Sequence, residues 1–189
     1  MILSDKDIKE ALKNGKISIE NLPEDRIQAA WVDLSLGNEF GLFKTTSQPY
    51  IDIRKSVDHT EKINVDDGEP FIIHPNEFIL AQVKEKIKIP GDMAAYVDGR
   101  SSLGRIGLVV HVTSGFVDPG FSGRLVLEMT NVGKMPVAIH PGMKICKLVF
   151  FSLTSAAERP YFMREDAKYK DQDSITSTKI HKDFKEFGK

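Results

Sequence analysis

The chain has 189 residues with 26 Lys and Arg against 27 Asp and Glu, a formal net charge of −1, and it is 41% hydrophobic and 28% charged. That balance belongs to a globular chain with a real core. It excludes a general polyelectrolyte attraction to nucleic acid, so any phosphate recognition must come from a local cluster. The single cysteine, Cys146, excludes an intrachain disulfide and a Cys-x-x-Cys metal site. Residues 1–16 are charged and lack an apolar signal core, and no apolar run approaches the roughly 20 residues of a membrane span, so a cytoplasmic protein is expected.

Ser4-Asp5-Lys6-Asp7 predicts a helix start. Ser4 can cap, and the acids sit where the helix dipole favours negative charge. Ile8, Ala11 and Leu12 follow at helical spacing, and Gly15 is a stop signal. The period then changes to two. Val32, Leu34 and Leu36 alternate with Asp33 and Ser35, and Gly37 is expected to break the run. Further strands are predicted over 71–73, 78–83 and 87–89, the last closed by Pro90-Gly91, and then over 106–112, 124–130, 136–139 and 145–153. Turn chemistry at Asp118-Pro119-Gly120, Asn131-Val132-Gly133 and Pro141-Gly142 separates them. Many short strands with few helices imply a mainly β sandwich, barrel or jelly roll, without internal repeat or linker, as one unit over 1–189. Residues 159–189 are polar with isolated aromatics. They predict an extended tail, ordered by a ligand or a neighbouring subunit if at all.

Two segments carry groups suited to chemistry. Arg100, Ser101, Ser102, Leu103, Gly104 and Arg105 combine cationic forks, hydroxyls and a flexible backbone, as a phosphate ligand needs; a solvated turn with a capping serine has the same composition. Glu128 lies in an apolar strand. Leu125, Leu127 and Met129 fall on one face, and Val126, Glu128 and Thr130 on the other. If that second face is solvent, Glu128 is ordinary; if it lines a pocket, its carboxylate is placed for proton transfer. Residues 111–121 are dense in turn and hydrogen-bonding groups. Asp118 could accept a sugar hydroxyl or cap its own turn, and His111 reads as a packed, hydrogen-bonded strand histidine. In the tail Tyr161, Arg164, Lys168, Tyr169 and Gln172 mix cations with aromatics, which suits either a flap over a polyphosphate or a solvated tail.

Read together, these segments resemble the dCTP deaminase family of the trimeric dUTPase-like superfamily. The matching residues are Ile2-Leu3-Ser4-Asp5-Lys6-Asp7-Ile8, Val32-Asp33-Leu34-Ser35-Leu36-Gly37, residues 99–107 and 111–128, and Pro141-Gly142-Met143. Arg159-Pro160-Tyr161 and Arg164-Glu165-Asp166-Ala167-Lys168-Tyr169 complete the series. The resemblance implies a distorted β-barrel or jelly-roll subunit with a short N-terminal helix, a C-terminal tail over about 159–189 closing on the nucleotide, and a homotrimer with shared active sites. It implies zinc-independent hydrolysis of dCTP to dUTP and ammonia, with magnesium entering only with the triphosphate and dTTP as feedback inhibitor. Zinc-dependent nucleobase deaminases carry a His-x-Glu and Pro-Cys-x-x-Cys signature that one cysteine cannot supply.

By the same resemblance Glu128 is the acid/base, and Ser101, Arg105 and Ser114 hold the attacking water and the ionic state of Glu128. Arg100, Ser101, Ser102, Tyr161, Lys168 and Gln172 would hold the triphosphate, Leu103 and Gly104 completing the loop. Asp118 would take the 3′-hydroxyl, and the backbone of Val126, Leu127 and Glu128 would read the base. One departure concerns the product. Where single-activity enzymes have Ala-His-Arg after Thr113, this chain has Ser114-Gly115-Phe116, and Gly-Phe before the Asp resembles bifunctional members that form dUMP and diphosphate. The run 164–169 resembles the single-activity enzymes, so dUTP release is the leading expectation and dUMP formation the alternative. A non-catalytic nucleotide-binding regulatory trimer is the third.

Overall fold

The computed structural model describes residues 1–44, 49–56 and 58–184. The N-terminal helix, α1 (Asp5–Lys13), forms where its sequence signals place it. Ser4 is the N-cap in a reciprocal capping box with Asp7, and Ile8 and Ala11 are buried. Asn14 is the C-cap, followed by Gly15 at φ +73°. Backbone bonds from Leu3 to Phe150 and from Asp5 to Ala29 tie this end to the β structure.

The strands are β1 (Ser18–Ile19), β2 (Ile27–Gln28), β3 (Trp31–Phe43), β4 (Thr60–Asn64), β5 (Phe71–Ile73), β6 (Phe78–Lys88), β7 (Met93–Gly99), β8 (Leu108–Val109), β9 (Phe116–Val117), β10 (Ser122–Asn131), β11 (Val137–Ile139) and β12 (Lys144–Ser152). Among the described residues ten of them form one curled sheet with the spine β8-β10-β6-β3-β12-β7-β9; β1 joins β6, and β2 and β4 join β3. β11 and β5 form a small second sheet, and Phe71 of β5 stacks on Phe40 of β3 with centroids 4.2 Å apart. The inward faces of the central strands make the core: Val32, Leu34, Leu36, Phe40, Ile79, Ala81, Val83, Leu127, Met129, Leu148 and Phe150 are fully buried. The architecture is mainly β, as expected.

Several elements differ from their sequence signals, each for a local reason. Gly37 does not end β3. It sits where β3 and β6 approach so closely that a Cβ would lie 2.8 Å from the Gln82 carbonyl oxygen, so the glycine permits the pairing instead of breaking it. The runs 78–83 and 87–89 join into the single strand β6, because Glu85 between them turns inward and accepts the Ser35 N–H at 2.9 Å. The predicted strand 106–112 shrinks to β8. Ile106 is exposed, and Gly107, at φ +85°, packs so tightly on Gly133 that an added Cβ would lie 2.7 Å from it. β4 and β7 carried no clear apolar alternation: β4 is a charged partner of β3, and β7 runs from Met93 through the small residues Ala94 and Ala95. The described part of the tail, to residue 184, folds back on its own chain. It holds 3₁₀ turns at Tyr161–Met163 and Ile180–Phe184, and residue 172 bridges to Gly123 of β10. Among the described residues no helix is long and apolar enough to cross a membrane.

Candidate active site

β10 decides where Glu128 points. It pairs with β6 so that Leu127 faces Ala81 and Glu128 faces Leu80. Leu127 and Met129 fill the core, and Val126, Glu128 and Thr130 stay half-buried on the opposite face. Val126 and Glu128 line a cavity of about 470 Å³. Ser114, Asp118, Val126, Leu127, Glu128, Tyr161 and Gln172 line it together. The pocket reading of Glu128, not the solvent reading, is the one the geometry adopts.

The segment after β8 clasps Glu128. The Val112 N–H donates to the Glu128 carbonyl at 3.0 Å, and the Thr113 hydroxyl donates to the Glu128 carboxylate. The Glu128 N–H donates to His111 Nδ1 at 3.2 Å; with Nδ1 accepting, the ring proton sits on Nε2, 2.8 Å from the Ser114 carbonyl oxygen. His111 is hydrogen-bonded as expected, but it lies in the loop after β8 and lines the cavity instead of packing within a strand. Gly115 closes the loop against β7: its carbonyl accepts the Val97 N–H at 2.7 Å, and a Cβ there would stand 2.6 Å from the Val97 oxygen. The glycine of Ser114-Gly115-Phe116 is therefore required by packing.

Asp118 closes its turn through the main chain and turns its carboxylate to the tail. Its carbonyl accepts the Phe121 N–H across the turn at Gly120 (φ +80°), while its carboxylate reaches Arg164 at 3.5 Å. Arg164 also grips Asp166 at 2.8 Å, and that guanidinium holds the Asp166 carboxyl down at about 2. The Tyr161 hydroxyl accepts the Tyr169 N–H at 2.9 Å; burial pushes its pKa above the ordinary value, so it stays protonated. Gln172 is held by its backbone, the carbonyl accepting from Arg124 N–H at 2.7 Å.

The other expected residues lie elsewhere. Ser101–Gly104 form a single helical turn, α2, between β7 and β8. Its N-cap is Arg100, without a side-chain cap bond, so the capping-serine reading fails. The Arg100 guanidinium turns to the buried Asp33 at 3.5 Å. Ser101, Ser102, Gly104 and Arg105 are exposed, and Leu103 packs on the core. Among the described residues none of these six lines the cavity with Glu128, nor does Lys168, whose ammonium pairs with Asp183.

Sequence reasoning missed several residues of the site. Thr113, outside the cavity lining, reaches it through the Glu128 carboxylate, and Thr176, Ser177 and Thr178, which line it, form a hydroxyl run whose composition was a usable signal. Arg124 lines the cavity and holds Asp173 at 2.9 Å. His59 lines it as well, and a lone histidine before a charged strand gives no pattern to find. Cys146 is buried, and burial pushes its thiol far above the ordinary value, leaving an inert core residue. Among the described residues no group of three or more His, Cys, Asp or Glu is placed to hold a metal ion.

A family model described as dCTP deaminase-like matches residues 2–153. The chain is 47% identical over 188 residues to a "dCTP deaminase, dUMP-forming" of Dictyoglomus turgidum, covering 97% of each chain. It is 49% identical over 188 residues to a protein of the same name from Methanobrevibacter smithii, again covering 97% of each. Among solved structures, that of 2′-deoxycytidine 5′-triphosphate deaminase from Agrobacterium tumefaciens shares the fold, with a TM-score of 0.62 at 20% identity over 79% of this chain and 47% of that one. This chain therefore spans about half the length of that protein. With matches along nearly its whole length, the chain belongs to the dCTP deaminase-like family.

Proposed function

We propose that the chain converts dCTP to dUMP, releasing ammonia and diphosphate. The observation that carries the reading is Glu128, a carboxylate held by Thr113 in the wall of a nucleotide-sized cavity with Asp118, Tyr161 and Gln172 around it. In the deamination, water adds to C4 of cytosine. Glu128 takes a proton from that water, delivers one to N3 and assists departing ammonia. A second water then cleaves the α–β phosphoanhydride, giving dUMP and diphosphate. Asp118 accepts the 3′-hydroxyl, and the main chain of 126–128 reads the base edge. Ser114 sits at the water position, where its hydroxyl adds a donor and an acceptor.

Arg100 to Arg105 and Lys168 enter this scheme through assembly and closure. In a homotrimer, the exposed Ser101, Ser102 and Arg105 of one copy complete the cavity of the next, with Arg105 facing Glu128 and the serines on the triphosphate. Magnesium arrives with the triphosphate. The donors at the cavity, the Gln172 amide and the hydroxyls of Thr176 and Thr178, suit phosphate oxygens directly. dTTP is expected to compete for the same pocket.

The sequence placed dUTP release ahead of dUMP formation. The names of the relatives and the Gly115-Phe116 run support the reverse order. The Arg164-to-Tyr169 run, which resembles single-activity enzymes, keeps dUTP release as the second reading. Incubation with dCTP and magnesium, with resolved products, separates them. dUMP and diphosphate without free dUTP are expected; accumulating dUTP selects the second reading, and no ammonia release leaves a binding protein. A zinc-selective chelator is expected to leave turnover unchanged when magnesium is supplied.

A further inference from the structure

Glu128, Leu80 and Gly41 stand in one row across three strands, since Leu80 pairs with Glu128 on one side and with Gly41 on the other. Cross-strand partners present their side chains to the same face of a sheet. At Gly41 the row has no side chain, and the tail fills the gap with Ile175. A Cβ at position 41 would lie 2.8 Å from Thr60 Cγ2, 3.1 Å from Ile175 Cγ2 and 3.2 Å from Leu80 Cβ. The notch therefore exists only because residue 41 is glycine. Among the described residues after Pro160, Ile175 is the one that is fully buried, which makes it the deepest apolar contact of the tail's distal part.

Polar bonds close round the same point. The Ser174 hydroxyl lies 2.8 Å from the Glu39 carboxylate, which also accepts the Ile175 N–H, and Lys62 Nζ donates to Ser174 Oγ at 2.7 Å. Upstream, the Gln172 carbonyl accepts the Arg124 N–H; downstream, the Ser177 hydroxyl donates to Asp58. Gln172 and residues 176–178 flank this anchor on both sides, and both flanks line the cavity that holds Glu128.

We propose that Ile175, seated in the Gly41 notch, is a positioning residue for nucleotide binding: it holds the flanking amide and hydroxyl groups of Gln172, Thr176 and Thr178 in place against the bound nucleoside triphosphate. This rests on the reading of the cavity as the dCTP site. A strap fixed beforehand spends no ordering entropy when the ligand arrives, whereas a loosened one does. The anchor acts on binding and leaves proton transfer at Glu128 alone, so its loss raises KM and spares kcat.

The test uses Ile175→Ala, Gly41→Val (whose side chain competes for the same notch) and Ile175→Val as the conservative variant. KM and kcat for dCTP are measured beside the rate of limited tryptic cleavage within the tail. In I175A and G41V cleavage and KM are each expected to rise about tenfold, with kcat within about twofold and I175V close to the parent protein. If I175A does not fold, Ile175→Thr, which keeps the branched shape and loses apolar burial, carries the same prediction. An unchanged KM with a freed tail, a lost kcat with an unchanged KM, or a tail as protected as in the parent protein would each overturn the proposal. If the parent protein does not convert dCTP, the reading of the cavity falls, and the cleavage rates alone decide whether Ile175 is the anchor.

Discussion

Thr113 donates its hydroxyl proton to the carboxylate of Glu128 across the gap between the loop after β8 and strand β10. The acid is thus oriented by a neutral donor while its main chain is fixed by Val112 and His111. Glu128→Gln keeps the shape and removes proton transfer. Ammonia release from dCTP is expected to fall at least about a hundredfold while calorimetric titration still detects dCTP binding. Thr113→Val removes only the orienting bond, and kcat is expected to fall roughly tenfold, with Thr113→Ser restoring most of it. Near-normal turnover in E128Q would remove Glu128 from the chemistry.

Gly115 makes a separate claim about the same loop. A methyl group there meets the Val97 carbonyl oxygen at 2.6 Å and the Tyr96 ring at 3.0 Å, and both belong to a paired strand that cannot simply yield. Gly115→Ala is therefore expected to cost about 1–3 kcal/mol of stability by overpacking and to displace Ser114. A lowered melting temperature together with a changed ratio of dUMP to dUTP would tie the loop path to product choice. An unaltered melting temperature would mean that the loop relaxes freely.

Where the sequence was legible, a short-range rule and the tertiary structure agreed. Ser4 and the acids after it announced α1, and the alternation of Leu127 and Met129 with Glu128 announced both the strand and the odd acid in it. It failed where tertiary packing reversed a local signal. Gly37 reads as a breaker until the Gln82 carbonyl is found against it, and 84–86 reads as a polar gap until Glu85 turns in to meet Ser35. Half of the candidate site was visible as hydroxyls and acids near Glu128. His59 and Arg124 were not, because only the folding of β4 and β10 round one cavity makes them neighbours. Arg100 to Arg105 were found as a segment, yet they stand outside the cavity of their own chain.

The capping box gives a pH prediction. The Asp7 carboxylate accepts the Ser4 hydroxyl and the Ser4 N–H, at 2.8 and 3.1 Å, and those bonds, the hydroxyl first, lower its pKa from 3.8. A depressed folded-state value means that the unfolded chain binds the proton more readily. The contribution is therefore present above about pH 4 and lost as pH falls through the folded value. Asp7→Asn is expected to melt below the parent protein at pH 7, with the gap closing on acidification below 3.8. A gap that persists at low pH would mean that the side chain acts by shape alone.

The separation of Arg105 from Glu128 leads to the last prediction. Arg105, the C-cap of α2, is exposed and outside the cavity, whereas Glu128 lies in its wall. If one copy supplies Arg105 and another supplies Glu128, the single variants Arg105→Ala and Glu128→Gln are each inactive, but mixing them creates some sites with both residues intact. Random pairing leaves about a quarter of the sites whole, so unfolding and refolding the two variants together is expected to restore activity to roughly that fraction. Each variant refolded alone stays inactive and serves as the control. If the mixture remains as inactive as its parts, each chain must assemble its own site, and Arg105 would then have to reach Glu128 by a movement of α2 within one subunit.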